Sequence, residues 1–189
     1  MNFPSVSAEL LHVIQPYLDL AEKLGKFQAQ VVTGGIQEVI IEYSGSILNY
    51  NVAPRTISLL KGLLTPILKD TINYINAPVV AKERGIKVVE SKSSEVGDYT
   101  SMIALTLKTA KGTFYAAGAL FGRQDPRIVQ IDKFTLEVVP EGYMLVLSNY
   151  DRPGVIGNIG TTLGKNQVNI ARLHLSRDQV ENHALVVLS

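Results

Sequence analysis

No cysteine occurs among the 189 residues. That absence excludes disulfides, thiolate nucleophiles and Cys-ligated metals, and it is compatible with a cytoplasmic location. Neither sign of charge dominates: 18 Lys and Arg stand against 17 Asp and Glu, and no dense basic run occurs. Neither nucleic acid nor an anionic membrane is therefore an expected partner. No apolar run reaches the roughly 18 residues of a membrane span, and Met1-Asn2-Phe3-Pro4 does not open a signal peptide. The 3 His residues show no metal-type spacing, so no metal site is expected. A Gly-x-Gly-x-x-Gly between strand and helix is also missing, which leaves nicotinamide binding without support in these residues.

What is present is an ordinary globular composition, 46% hydrophobic and 19% charged, sufficient for one or two domains with a core of normal size. From Ser7, a plausible N-cap, to about Val31, apolar residues recur at Leu10, Leu11, Ile14, Leu18, Ala21, Leu24 and Phe27. This spacing predicts an amphipathic helix, with Pro16 kinking it or splitting it in two. After Gly34-Gly35, Val39, Ile41 and Tyr43 alternate with their neighbours as in a strand. A second helix follows Pro54, and Asn76 to Gly85 has the N-cap type, early Pro and closing Gly of a short third.

Beyond Gly85 the period becomes two. Ile86 to Glu90, Thr100 to Lys108 and Thr113 to Ala119 read as strands, the last two joined by a turn at Thr109-Ala110-Lys111-Gly112. Gly122 to Pro126 is a polar loop, and Arg127 to Ile131 and Phe134 to Val139 form a hairpin through Asp132-Lys133. The class is α+β: a first domain over 1–140 with helices early and antiparallel strands late, then a hinge at Pro140-Glu141-Gly142. The last segment, 141–189, reads strand (Tyr143 to Asn149), helix (Pro153 to Leu163), strand (Val168 to Leu175), polar loop (Ser176 to Asn182) and strand (His183 to Leu188). A ferredoxin-like βαββαβ unit carries one more helix and strand, so an incomplete module is expected.

Function concentrates at Asn149-Tyr150-Asp151-Arg152-Pro153-Gly154-Val155-Ile156-Gly157, followed by Val168-Asn169-Ile170. Here a strand ends in polar side chains, Pro153 enters the first helical turn, and Gly154 lets a ligand approach the helix N-terminus. Free N–H groups and the helix dipole suit a carboxylate there, Asp151 can accept from an ammonium, and Asn169 can donate and accept. In isolation such residues more commonly just cap helices and close turns. Together they complement an amino acid. His174 and His183, on adjacent predicted strands, are expected to form a cross-strand structural pair rather than a general base, and His12 lies in the first helix.

This string resembles the signature of the ACT domain, in wording most like that of the bacterial D-3-phosphoglycerate dehydrogenase family. The resemblance implies a serine sensor with Asn149, Asp151 and Asn169 as effector-binding positions, Pro153 and Gly154 shaping the pocket, and a site formed between two subunits. The family usually has Gly where this chain has Gln167, so the left-handed residue closing the helix is expected at Asn166. Upstream, Asn2-Phe3-Pro4-Ser5-Val6-Ser7, Tyr17 to Gly25, Asn76-Ala77-Pro78, Ala81 to Gly85 and Gly122 with Arg127-Ile128-Val129 look like the intervening domain of the same family's long forms. By that resemblance the first domain is an allosteric substrate-binding domain for a phosphorylated hydroxy or keto acid. Arg127 matches a basic position of its site and Lys133 does so approximately, while proximity adds Arg123.

The reading is a regulatory region of an NAD-dependent dehydrogenase of serine biosynthesis. It has no catalytic residues and no cofactor of its own, NAD belonging to the catalytic part, with L-serine as effector and a homo-oligomeric state favoured by unpaired sheet edges. Two alternatives stand beside it: the regulatory part of an L-serine dehydratase-type enzyme, and a free-standing enzyme with an unrecognised site.

Overall fold

The computed structural model describes residues 8–93, 98–178 and 180–189, apart from the side chains of residues 8–10 and 70. Ser7 and the 2–7 segment of the resemblance lie outside the described residues. The class is α+β. A mixed sheet of order β2-β1-β3-β4-β5-β6 carries two long helices, and a second sheet of order β7-β9-β8 carries one helix.

Helix α1 runs unbroken over Ala8–Val31 with Pro16 inside it, so the expected split does not occur. Proline removes one backbone donor and crowds the preceding turn, but Ile14 before it and Leu18, Leu20, Ala21 and Leu24 after it bury one continuous stripe. That shared burial outweighs the local break. Strand β1 (Ile36–Gly45) buries Val39, Ile41 and Tyr43 completely, and α2 (Ala53–Leu68) starts with Pro54 in its first turn. A short α3 (Ala77–Glu83) leads to β2 (Lys87–Ser93), which pairs parallel with β1 through the α2–α3 crossover. The remaining neighbours in this sheet, β3 (Ser101–Thr109), β4 (Gly112–Phe121), β5 (Asp125–Ile131) and β6 (Phe134–Val138), are antiparallel. Asn76 is the N-cap of α3 as expected, but its side chain makes no capping bond: its Oδ1 accepts from Asn73 N at 2.8 Å and its Nδ2 donates to Thr71 O at 2.7 Å.

Helices α1 and α2 approach at backbone contact. A Cβ on Gly62 would lie 2.1 Å from Glu22 O, and one on Gly25 would lie 2.3 Å from Leu59 O. The second face of α1 rests on the sheet at Gly118, where a Cβ would meet Leu20 Cδ1 at 2.7 Å. Among the described residues no helix is long and apolar enough to cross a membrane.

In the second sheet β7 is Leu145–Tyr150, α4 is Val155–Lys165, β8 is Leu173–Asp178 and β9 is His183–Leu188. Four sequence expectations change here. Helix α4 begins after Pro153, because Gly154 takes φ +92° as its N-cap. Strand β8 starts at Leu173 rather than Val168, and it runs on into the segment expected as loop. The left-handed residue is Gln167 itself, at φ +59°, while the C-cap Asn166 stays at φ −94°. Val168 N donates to Leu163 O and Gln167 N to Gly164 O, each at 3.0 Å, the two bonds of a Schellman ending. Those bonds fix the left-handed position one residue beyond Asn166. His174 and His183 are not opposite each other either: His174 faces Val187 across the ladder, and His183 stacks on Tyr150 with ring centroids 4.6 Å apart.

Two stability outcomes follow from this geometry. Gly62→Ala should cost about 3 kcal/mol, since two backbones must separate, and urea denaturation would show it as a lower midpoint; an unchanged midpoint would mean that the helices part freely. Gln167→Gly should stabilise by about 1 kcal/mol by relieving a left-handed side chain, and a melting temperature that falls would contradict this.

Candidate functional site

Strand β7 ends at Tyr150, and the chain turns through Asp151, Arg152, Pro153 and Gly154 into α4. Asp151 N donates to Asn182 O at 2.9 Å, which ties this turn to the β8–β9 connection. The first N–H groups of a helix have no helix carbonyl to donate to, so those of Ile156 and Gly157 open on the space in front of the turn. That space is a cavity of about 480 Å³, with Asn149, Asp151, Pro153, Gly154 and Arg177 in its wall. Asn149 Nδ2 donates to Tyr150 O at 2.7 Å, while its Oδ1 is buried with no partner among the described residues. Four of the five expected effector residues therefore meet in one cavity with an acidic group, an amide and a helix N-terminus.

Sequence reasoning missed Arg177. Its Nε lies 3.1 Å from Asp151 Oδ2, so the carboxylate expected to receive an ammonium already holds a guanidinium. Asn149, Ala184 and Arg177 stand abreast across the ladder, which puts Arg177 on the α4 face of the sheet. The clue was period two along β8, hidden because residues 176–182 read as loop.

Asn169 does not join this group. It lines a second cavity of about 410 Å³ with Tyr143, Leu163, Val168 and Leu188, beyond the C-terminus of α4. The 11 residues of α4 span about 16 Å at 1.5 Å per residue, so Asn169 cannot reach Asp151 within one chain.

The three basic residues separate as well. Arg123 sits at φ +70° in the β4–β5 turn. Arg127, in β5, donates from Nη1 to Pro126 O at 3.2 Å, and its guanidinium carbon lies 5.9 Å from the Phe121 ring centroid. Lys133 is at the far end of β5, in the β5–β6 turn, and six residues along a strand cover about 20 Å. It forms ion pairs with Asp178 and Glu181 of the β8–β9 hairpin, and their hydrogen bonds raise its pKa. Lys133 thus joins the two sheets and does not converge with the arginines.

The family model for the D-3-phosphoglycerate dehydrogenase intervening domain matches residues 13–132. Among curated proteins, a D-3-phosphoglycerate dehydrogenase of Synechocystis sp. is 37% identical over 100% of this chain and 34% of its own length. That of Methanocaldococcus jannaschii is 36% identical over 100% of this chain and 36% of its own length, and that of Bacillus subtilis 33% identical with the same coverage. The chain spans about a third of the length of these relatives.

Hydrogen bonds from Lys133, with two from backbone N–H groups, lower the pKa of Asp178. A depressed carboxyl pKa contributes stability that is complete above the ordinary value of about 3.9 and fades as pH falls through the lower one. Lys133→Met should accordingly lower the melting temperature at pH 7, with a penalty that shrinks below pH ~4 and in high salt. A penalty independent of both pH and salt would show that Lys133 acts through its packing alone.

Proposed function

The chain belongs to the D-3-phosphoglycerate dehydrogenase intervening-domain family, and from that premise we propose that it is the regulatory region of an NAD-dependent D-3-phosphoglycerate dehydrogenase, a cytoplasmic enzyme of serine biosynthesis. On this reading residues 1–140 are the allosteric substrate-binding domain and 141–189 an ACT module whose feedback effector is L-serine. The relatives' names favour a dehydrogenase over an L-serine dehydratase. No strand, Gly-x-Gly-x-x-Gly and helix succession is present to hold NAD. The residues of this chain do not fit the cofactor, and no hydride-transfer step is assigned to them.

The observation that carries the effector reading is the cavity at the N-terminus of α4, where Asn149, Asp151, Pro153 and Gly154 meet. Asp151 receives the ammonium, the first-turn N–H groups attract the carboxylate, and the unpartnered Asn149 Oδ1 is available to a hydroxyl. Asn169, about 16 Å away along α4, enters the site from a second copy of the module, which makes the working form a homo-oligomer. For the first domain, Arg123 and Arg127 attract a phosphorylated hydroxy or keto acid at one end of β5. Lys133, at the other end of β5 and paired with Asp178 and Glu181, stands outside that site.

Isothermal titration of L-serine into the full-length protein should give saturable heat, and Asp151→Asn and Asn169→Ala should each weaken binding about tenfold or more. Absence of heat in the unsubstituted protein would sink the effector reading. Undiminished binding by Asn169→Ala would remove the second copy from the site.

A further inference from the structure

The Asp151–Arg177 pair constrains what the cavity can accept. The two opposite charges stand 3.1 Å apart in the cavity wall, and neither is fully exposed: the side-chain accessibility is 30% for Asp151 and 58% for Arg177. A ligand that takes only Asp151, through an ammonium, leaves a guanidinium without its partner. One that takes only Arg177, through a carboxylate, leaves the aspartate in the same position. Each gives up a half-exposed ion pair, a cost that water softens, and also forgoes the second charge contact that the wall offers. A zwitterion does neither. Its ammonium replaces Arg177 on Asp151, its carboxylate gives Arg177 a new partner, and one charge pair becomes two.

From this exchange we infer that Arg177 is a specificity-determining residue of the cavity, binding the ligand's α-carboxylate and restricting the site to free α-amino acids. The inference rests on the effector reading and extends it. Position supports the role. Arg177 shares the α4 face of the sheet with Asn149 and Ala184, and its guanidinium is already beside Asp151. The swing needed to meet a carboxylate on the same ligand is a side-chain rotation that leaves the strand in place. A planar fork with five donors also suits a carboxylate better than a single ammonium does. Arg152 also lines the cavity, but its guanidinium lies over Tyr150, the carbon 5.4 Å from the ring centroid, and only Arg177 is paired with Asp151.

The test compares L-serine, which is a zwitterion, with L-serinamide, which keeps the ammonium and lacks the carboxylate, and with L-glycerate, which keeps the configuration and has a hydroxyl in place of the ammonium. Each is titrated calorimetrically into the full-length protein and into Arg177→Gln and Arg177→Lys. The unsubstituted protein should prefer L-serine over both analogues by about tenfold or more, and Arg177→Gln should lose about tenfold to a hundredfold for L-serine. The same substitution should leave L-serinamide within about twofold or bind it more tightly, because Asp151 is freed of a competitor. Arg177→Lys should recover part of the L-serine affinity. Equal weakening of L-serine and L-serinamide by Arg177→Gln would reduce Arg177 to a support for the turn, and unchanged L-serine binding would remove it from the site; either overturns the inference. An unsubstituted protein that binds no L-serine fails differently, since it defeats the effector reading and takes this inference with it.

Discussion

The close crossing of α1 and α2 is the contact on which the rest of the structure depends. Gly25 and Gly62 let two helix backbones meet, and that closeness places Glu22 of α1 beside Lys61 of α2 at 2.6 Å, while Lys26, one turn along α1, reaches the same carboxylate at 2.9 Å. Tyr74 Oη adds a further hydrogen bond to Glu22 at 2.7 Å. Burial works against the charge on Glu22, but the hydrogen bonds from Lys61, Lys26 and Tyr74 more than offset it and hold the carboxyl at about 2. Apolar packing and a clustered charge therefore act at one point, so the helix pair docks on the sheet as a unit. Through Leu20 over Gly118 it fixes β4, and through Lys23, 3.0 Å from Glu141, it also reaches the segment that leads into the second sheet.

That second sheet is not a free appendage. Leu185 and Val187 of β9 belong to the same buried cluster as Leu24, Leu63 and Ile128, while Ala184, Val186 and Leu188 turn towards α4. Placing β9 in the centre lets one strand fill both interfaces, which is why its six residues show no alternation of apolar and polar. Lys133 adds a directional contact at the rim of this docking surface through Asp178 and Glu181. Hydrophobic burial supplies the attraction between the units, and the ion pairs restrict the orientation in which it is satisfied.

Legibility in the sequence followed the range of the interaction. The long helix, the Thr109–Gly112 turn, the Asp132-Lys133 hairpin and the βαββ order depend on neighbours within a few residues, and all were readable. So was the gathering of Asn149, Asp151, Pro153 and Gly154, which are nearly contiguous. The parallel β1–β2 pair, the partners of Lys133 and the Arg177–Asp151 contact join residues 26 or more positions apart, for which periodicity has no information. Arg55 shows the same limit, because nothing in its local sequence marks a charged residue near a helix start for burial. Yet it is fully buried, between the rings of Tyr17 and Tyr50, with Nη1 donating to Asn51 O at 2.7 Å. Gln167 failed for a different reason. The two Schellman bonds, not the residue type, decide which position takes positive φ, and a glutamine carries the strain that a glycine would avoid.

Strand β8 brings these threads together. Successive residues of a strand point to opposite faces, so Arg177 faces the cavity and Asp178, one peptide further, faces Lys133. A rearrangement at Asp151 that draws on Arg177 therefore begins one residue from the ion pair that orients the two sheets. A rotation of the Arg177 side chain alone would leave that pair intact, whereas a displacement of the strand end would move both contacts together. Linkage then requires reciprocity: to whatever extent ligand in the cavity shifts the docking of the sheets, docking shifts the affinity of the cavity by the same factor. The first sheet is joined to this balance through Lys133, without which Asp178 and Glu181 would stand uncompensated beside the cavity strand. One strand with alternating faces thus supplies a wall residue of the cavity, Arg177, and a partner of Lys133 in the first sheet, Asp178.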